Sequence, residues 1–270
     1  NVLVIVGPGD GHQVLRSTLN RAGAIHQIYH YDAARLLAGN RFLPKAGEFL
    51  LPAKSSLSQI ISIIHQGFSY QRRLTIVEGL RSADIVQIIT DLPHLTGIID
   101  VIPDEGSLRP ETYFYTYATR RDDLINRMQQ TQQIALAEAW IDRAKGLPYK
   151  SPQDALIMAS IIEKEASVNA DRRLVAAVLV NRLKRGMRLQ SDPTVLYEAA
   201  ASPQSPIPIT KTHLKTKTPW NTYVIKGLPK TPICNPGEES LMAALNPADS
   251  DYLYFVSNGK GGLRFAKTLD

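Results

Sequence analysis

Two glutamates in the stretch ASIIEKEASVN are the side chains of this sequence best placed for acid–base chemistry. The stretch belongs to a helix predicted over residues 151–169, which has a clear start: Ser151 can cap the free amide groups, and the proline after it suits the first turn. At about 100° per residue, Glu165 falls in the middle of an apolar face, whereas Glu163 points to roughly the opposite side. The two carboxyl groups therefore cannot share one site. The apolar face consists of Ile157, Met158, Ile161, Ile162 and Val168.

Glu165 is the unusual member of the pair, because a charged carboxylate on an apolar face is costly to bury. Such a group responds by raising its pKa. A carboxylic acid that stays protonated near neutral pH is what a general acid requires. Two structural explanations compete: Glu165 pairs with a nearby arginine, or it lies at the rim of the core and reaches water. Spacing alone leaves these alternatives open.

The composition is that of an ordinary globular protein. The 270 residues allow one large domain or two small ones, and 44% of them are hydrophobic and 21% charged. The formal net charge is +6, without the run of Lys and Arg expected of a nucleic-acid-binding arm. This charge suits an acidic polymer as partner, and it is equally consistent with a merely basic surface.

Several common kinds of site are excluded by the residues present. Cys234 is the one cysteine, so the chain has no internal disulfide and no cysteine-rich metal site. No histidine pair has metal-ligand spacing, no G-x-S-x-G elbow occurs, and no heptads run through the sequence.

There is no transmembrane run and no signal peptide. The chain opens on NVLVIV, inside a predicted strand, so we expect that it has been trimmed and that an upstream anchor has been removed.

The first part of the chain repeats one pattern three times. Strands are predicted at residues 2–6, 49–51 and 74–77, and each is followed by a turn and a helix with an apolar face. This pattern predicts small α+β units. The glycine-rich turn at 7–11 is not a phosphate loop, because its spacing does not fit G-x-G-x-x-G and no Lys-Ser/Thr follows the glycines.

Later loops combine aromatic rings with amides, hydroxyls and carboxylates, at 102–113, 187–195 and 219–229. Flat rings pack on sugar faces while polar groups bind hydroxyls, so these loops suit a hydroxyl-rich ligand. Simpler explanations exist: the first loop is a solvated connector, and Asp192 caps the helix that the following proline begins. Residues 200–217 are predicted to form a flexible flap in which His213 is a surface histidine. The chain closes with a predicted β-hairpin.

At this point the sequence resembles the YceG-like endolytic murein transglycosylases. The resemblance runs from about Lys45 to the end of the chain and follows the family's order of motifs. These motifs are ASIIEKE at 159–165, NRL at 181–183, GMRLQSDPTV at 186–195, NTY at 221–223, GLP at 227–229 and YLYFV at 252–256.

The resemblance implies a fold and a location. It implies an α+β protein with a small LysM-like α+β subdomain at 1–72, a larger mixed α+β catalytic domain at 73–270, and a flexible flap near 200–218. It implies an inner-membrane protein with one N-terminal anchor and an extracytoplasmic, periplasmic body. Neither a cofactor, nor a metal, nor nucleic acid is expected.

The resemblance also implies a reaction. Members cut peptidoglycan glycan strands between N-acetylmuramic acid and N-acetylglucosamine without water, leave an anhydro-muramic end, and are thought to stop strand growth beside the peptidoglycan synthases. The family's catalytic glutamate aligns with Glu165. The residues expected to bind the substrate are Gln190, Ser191, Asp192, Asn221, Thr222, Tyr223 and Glu105.

Three rival hypotheses remain. In the first, the protein is a glycan hydrolase in which Glu165 is the acid and Asp192 or Glu105 is the base that activates water. In the second, it is a non-catalytic peptidoglycan-binding scaffold. In the third, Glu165 is a purely structural carboxylate.

Overall fold

The structure is a computed structural model that describes residues 1–38, 42–199 and 207–269. Its helices and two-stranded sheets confirm the predicted α+β class. Contacts divide the chain into two compact units. The first comprises Asn1–Leu74, Leu92–Gly97 and Thr112–Arg121, and the second comprises Thr75–Asp91, Ile98–Glu111 and Asp122–Asp270. The assignment of 1–72 as LysM-like and 73–270 as catalytic stays a prediction.

The first unit packs short helices against an antiparallel strand pair. The two strands pair from Val2 opposite Leu51 to Val6 opposite Gly47, and Phe49 lies at the centre of the core beneath them. The third strand, predicted at 74–77, is observed two residues earlier, at Arg72–Thr75. The elements lying wholly or mostly in this unit are β1 (Val2–Val6), α1 (His12–Arg21), α2 (Ile28–Ala38), β2 (Gly47–Leu51), α3 (Leu57–Gln66), β3 (Arg72–Thr75) and β4 (Thr112–Tyr115).

A buried glutamate in the first unit shows what a structural carboxylate looks like. Glu48 is 1% exposed. Arg72 donates to it from Nε at 2.7 Å and from Nη2 at 2.6 Å. This bidentate pair neutralises the charge that burial would otherwise disfavour.

The second unit is built around one central helix, α6, which packs against α7 and α10. Every residue of α6 from 155 to 162 is buried, as expected for a helix surrounded on all sides. Across the described residues, no helix combines the length and apolar content needed to cross a bilayer. The elements are α4 (Ser82–Asp91), α5 (Arg121–Ile141), α6 (Pro152–Glu165), α7 (Asn169–Lys184), α8 (Asp192–Ala199), α9 (Lys211–Lys215), α10 (Glu238–Leu245), β5 (Tyr254–Ser257) and β6 (Leu263–Ala266).

Helix α6 begins as predicted but ends earlier. The Ser151 hydroxyl accepts from the Asp154 N–H at 3.3 Å, which confirms the cap. The prediction that the helix continues through Val168 is wrong: the helix ends at Glu165, and Val168 is 41% exposed at the N-cap of α7. Asp171 lies in the first turn of α7 and accepts from the Leu263 N–H at 2.9 Å.

Candidate active site

Glu165 lies at the last position of α6, where the helix leaves the core. Its side chain is half-buried, and the Ser191 hydroxyl donates to Glu165 Oε1 at 2.6 Å. Burial raises the pKa of Glu165 to about 6; the Ser191 hydrogen bond opposes this shift, the Asp192 carboxylate adds to it, and Arg182 opposes it. No Lys, Arg or His nitrogen of the described residues lies within the 4.0 Å ion-pair distance of this carboxyl group.

Glu163, two residues earlier, has a different environment. Arg172 Nη2 lies 3.0 Å from Glu163 Oε1, and the Gly237 N–H, at the N-cap of α10, donates to Oε2 at 2.9 Å. Its side chain is 6% exposed. The prediction that the two glutamates occupy separate sites is therefore confirmed, and Glu163 has the ion pair that Glu165 lacks.

The loop that carries Ser191 is held in place by a cluster of threonines. The Ser191 N–H donates to Thr222 Oγ1 at 2.9 Å, and the Thr194 and Thr222 hydroxyls lie 2.8 Å apart. The Gln190 N–H donates to the Thr222 carbonyl at 3.2 Å, and Gln190 has a φ of +51°. Such a backbone conformation costs free energy for a non-glycine residue. The hydrogen bonds hold the loop in this conformation and direct the Ser191 hydroxyl at Glu165.

The side chains of Asn221 and Thr222 form hydrogen bonds within the protein. Asn221 Nδ2 donates to the carbonyls of His213, Leu214 and Thr216 at 3.0, 3.3 and 2.7 Å, and both residues are almost fully buried. Their polar atoms have protein partners, so the geometry gives them a positioning role. Substrate contact by these two residues stays a prediction.

The structure describes part of the predicted flap. Its residues 200–206 lie outside the described residues, and Lys211–Lys215 form the short helix α9. The Thr210 hydroxyl accepts from the His213 N–H at 3.2 Å, and His213 Nδ1 accepts from the Thr210 N–H at 3.3 Å. His213 thus closes a capping box in this helix.

Asp192 and Tyr223 form a pair near the surface. The Tyr223 hydroxyl donates to Asp192 Oδ1 at 2.6 Å. Burial and this hydrogen bond raise the pKa of Tyr223. Asp192 also begins α8, so the sequence-based expectation of a helix-starting aspartate is consistent with its position.

A cleft of about 690 Å³ adjoins these residues. Gln190 and Tyr223 line one side, and the β5–β6 hairpin lines the other. Arg182 also lines the cleft, although it is 8% exposed. Its Nε and Nη1 donate at 2.7 Å to the carbonyls of Leu253 and Leu189. The full lining is Arg182, Gln190, Tyr223, Tyr254, Phe255, Val256, Arg264, Phe265, Ala266, Thr268 and Leu269.

The hydrogen bonds of Glu105 in the described part of the chain are with residues other than Glu165 and Ser191. Its Oε1 accepts from the Ser82 N–H at 2.8 Å, at the first residue of α4, and from Asn235 Nδ2 at 3.3 Å. Its Oε2 accepts from the Tyr197 hydroxyl at 3.2 Å. Burial raises the pKa of Glu105. These contacts give Glu105 the role of a helix-capping carboxylate, and its predicted role in substrate binding is untested.

Arg182 and Arg264 were not predicted as site residues. The sequence does carry a signal for Arg182, because it follows Val175, Val178 and Leu179 on one face of α7, where a charged residue is unexpected. No such signal marks Arg264. Among the described residues, no group of three or more His, Cys, Asp or Glu side chains could hold a metal ion.

Ser191→Ala is expected to raise the pKa of Glu165 further above its ordinary value. The hydroxyl donates to the carboxylate and therefore favours the ionised form, so its removal favours the protonated form. A carbon-13 NMR titration of the Glu165 carboxyl group would measure the shift. Ser167→Ala is the matched control, since Ser167 is exposed and nearby. An unchanged or lowered pKa in Ser191→Ala would contradict the assigned hydrogen bond.

Comparisons with known proteins identify the family to which the chain is similar. A model of the YceG-like family matches residues 4–270. An endolytic murein transglycosylase of Bacillus subtilis is 36% identical over 225 residues, which are 80% of this chain and 60% of that protein. A Streptococcus pneumoniae protein of the same name is 32% identical over 157 residues, which are 57% of this chain and 28% of that protein.

The similarity extends to a solved structure. A crystal structure of a yceG-like protein from Listeria monocytogenes superposes with a TM-score of 0.60 at 29% identity, covering 100% of this chain and 96% of that one. The chain spans less than two thirds of the length of the Bacillus and Streptococcus relatives. With a family match over nearly its whole length, the chain belongs to the YceG-like family.

Proposed function

We propose that this chain carries the catalytic centre of an endolytic peptidoglycan lytic transglycosylase. Its substrate is the glycosidic bond between N-acetylmuramic acid and N-acetylglucosamine in nascent glycan strands. The observation that carries the proposal is Glu165: its pKa is about 6, it has no ion-pair partner among the described residues, and it is hydrogen-bonded to Ser191, which follows Gln190 in the lining of an open cleft. The names of the Bacillus and Streptococcus relatives support the same substrate class.

The first step is proton donation. With Ser191 donating to Oε1, the other oxygen of Glu165 is left to carry the transferred proton. Glu165 protonates the oxygen that bridges the two sugars, the bond between that oxygen and C1 of the muramic ring breaks, and positive charge develops on the ring. The leaving sugar departs with a free 4-hydroxyl group.

The second step uses the substrate's own hydroxyl. Glu165, now ionised, takes the proton from the C6 hydroxyl of the muramic residue while its oxygen bonds to C1. The product is a 1,6-anhydro ring, and Glu165 is protonated again. Because the nucleophile is held on the same ring, neither water nor a second catalytic carboxylate is required.

The wider role follows from the substrate. Nascent glycan strands lie outside the inner membrane, so we place the reaction on its extracytoplasmic face, where it would end strand growth beside the synthases. The LysM-like assignment of residues 1–72 and the predicted membrane anchor belong to this proposal. Gln190, Asp192 and Tyr223 would bind sugar hydroxyls and acetamido groups, because they reach the cleft region.

Product analysis distinguishes this proposal from its rivals. Purified glycan strands digested with the protein should yield muramic ends lighter by one water than hydrolysed ends in mass spectrometry. Products that carry the added water would instead establish a hydrolase with a second carboxylate, for which Asp192, close enough to raise the pKa of Glu165, is the candidate. Binding of strands without any cleavage would establish the scaffold hypothesis.

A further inference from the structure

The β5–β6 hairpin contributes residues from both of its faces to the lining of the cleft. Tyr254 pairs with Ala266, and Val256 pairs with Arg264. Alternate residues of a strand point to opposite faces, so these two pairs share one face. The intervening pair of Phe255 and Phe265 packs against the core of the second unit.

This face combines exposed apolar groups with an unpaired cation. Val256 is 64% exposed, and the Arg264 beside it is exposed as well. No carboxylate of the described residues lies within ion-pair distance of Arg264. A valine and an arginine left uncovered on the wall of a cleft offer both apolar contact and a charged hydrogen-bond donor to a ligand.

Arg182 contributes a second guanidinium group. It is more than nine-tenths buried, and the Tyr254 ring centroid lies 5.2 Å from its Cζ. Nε and Nη1 are used by backbone carbonyls. Nη2 has no protein partner in the part of the chain that the structure describes, and it is not sealed from solvent. A buried arginine with one free N–H edge in a cleft is a preformed donor for a ligand.

The charge of the cleft indicates the kind of ligand. Among the residues that the structure describes, the lining includes Arg182 and Arg264 and no carboxylate. The rings of amino sugars in peptidoglycan carry no charge, whereas the peptide stem on the muramic side chain carries carboxylates and alanine methyl groups. The volume of about 690 Å³ falls in the range of sites that hold ligands larger than one sugar ring.

We propose that this cleft binds the acidic peptide stem of the muramic residue next to Glu165. Arg264 pairs with a stem carboxylate, the free edge of Arg182 binds a stem carbonyl, and Tyr254, Val256 and Ala266 contact alanine methyl groups. This inference rests on the proposed function, since it needs a muramic ring at Glu165. It makes the stem-bearing strand, rather than the stripped glycan, the preferred substrate.

Binding to a protein that cannot turn over tests the inference. In a Glu165→Gln background, affinity is measured for a fluorescent disaccharide carrying its tetrapeptide and for a stripped form in which a methyl amide replaces the peptide, so that no lactyl carboxylate is exposed. Arg264→Gln is expected to weaken binding of the peptide form about tenfold, the loss of one charge-assisted pair, and to leave the stripped form unchanged. Lys260→Gln is the matched control, because Lys260 is exposed in the same hairpin and does not line the cleft.

The outcomes separate this inference from the reaction itself. Equal affinity of Arg264→Gln and its parent for the peptide form would overturn the stem site, as would an equal loss for both ligands. Arg264 is exposed, and matching thermal unfolding curves would verify that the variant is folded. Formation of anhydro products by the wild-type protein is measured in a separate assay. The stem-binding inference can therefore be contradicted while the proposed lytic activity is supported.

Discussion

Glu165→Gln is expected to reduce glycan cleavage by at least about a thousandfold, near the upper part of the range for loss of a general acid, because one residue serves as acid and then as base. Glutamine keeps the size of the side chain, and its carbonyl oxygen can still accept from the Ser191 hydroxyl. It cannot release a proton to the bridging oxygen. The release of anhydro-muramic products from purified strands measures the loss, and binding of the same strands should persist.

The same substitution should stabilise the fold at neutral pH. Burial raises the pKa of Glu165 from 4.5 to about 6, so ionisation is harder in the folded state than in the unfolded one. Below pH 4.5 both states are protonated and no penalty applies. As the pH rises from 4.5 to 6 the unfolded state ionises first, so the wild type loses stability, and the penalty levels off above pH 6 at about 2 kcal/mol. Urea unfolding should therefore show Glu165→Gln more stable than wild type at pH 8 and not at pH 4.

Glu163→Gln is the matched control, with the same chemical change two residues away. Its carboxylate pairs with Arg172 and accepts from the Gly237 N–H, so the variant should unfold more easily. Cleavage per folded molecule should be retained, because Glu163 is bonded to Arg172 and to the Gly237 N–H rather than to the Ser191 loop. Loss of cleavage in Glu163→Gln together with full activity in Glu165→Gln would reverse the assignment.

The sequence predicted features that are set by local chemistry. The Ser151 cap and the closing hairpin are encoded within a few residues, and both are present. The separation of Glu163 from Glu165 follows from helical periodicity alone. These features needed no knowledge of tertiary contacts.

Features that depend on partners distant in sequence could not be predicted. One example is the boundary between the two helices, with α6 ending at Glu165 and α7 beginning at Asn169. The role of Thr222, whose hydroxyl accepts from the Ser191 N–H, and the capping role of Glu105 are visible only in three dimensions. A polar loop residue looks the same in a sequence whether it faces a ligand or holds the loop together. The sequence-based list of substrate-binding residues therefore contains both kinds of residue.

Arg182 is the clearest example of a side chain whose role needs the fold. Arg182→Met is expected to destabilise the protein by about 3 kcal/mol, because it leaves two carbonyl acceptors, those of Leu189 and Leu253, without their donors in a buried place. Methionine fills a similar volume, so the loss reports the hydrogen bonds rather than a cavity. Urea unfolding of the two proteins at the same pH measures it.

The control for Arg182→Met is Arg185→Met, at the exposed C-cap of the same helix, which should change stability by no more than about 0.5 kcal/mol. Arg182→Met should also raise the pKa of Glu165, because the guanidinium favours the ionised carboxylate. If Arg182 had a purely structural role, its substitution would lower the free energy of unfolding and leave the pKa of Glu165 unchanged. If Arg182→Met matched Arg185→Met in both measurements, neither the hydrogen bonds nor the charge of Arg182 would support the site. With both effects present, the buried guanidinium of Arg182 on α7 holds the loop at Leu189 and the hairpin at Leu253, and it lowers the pKa of Glu165.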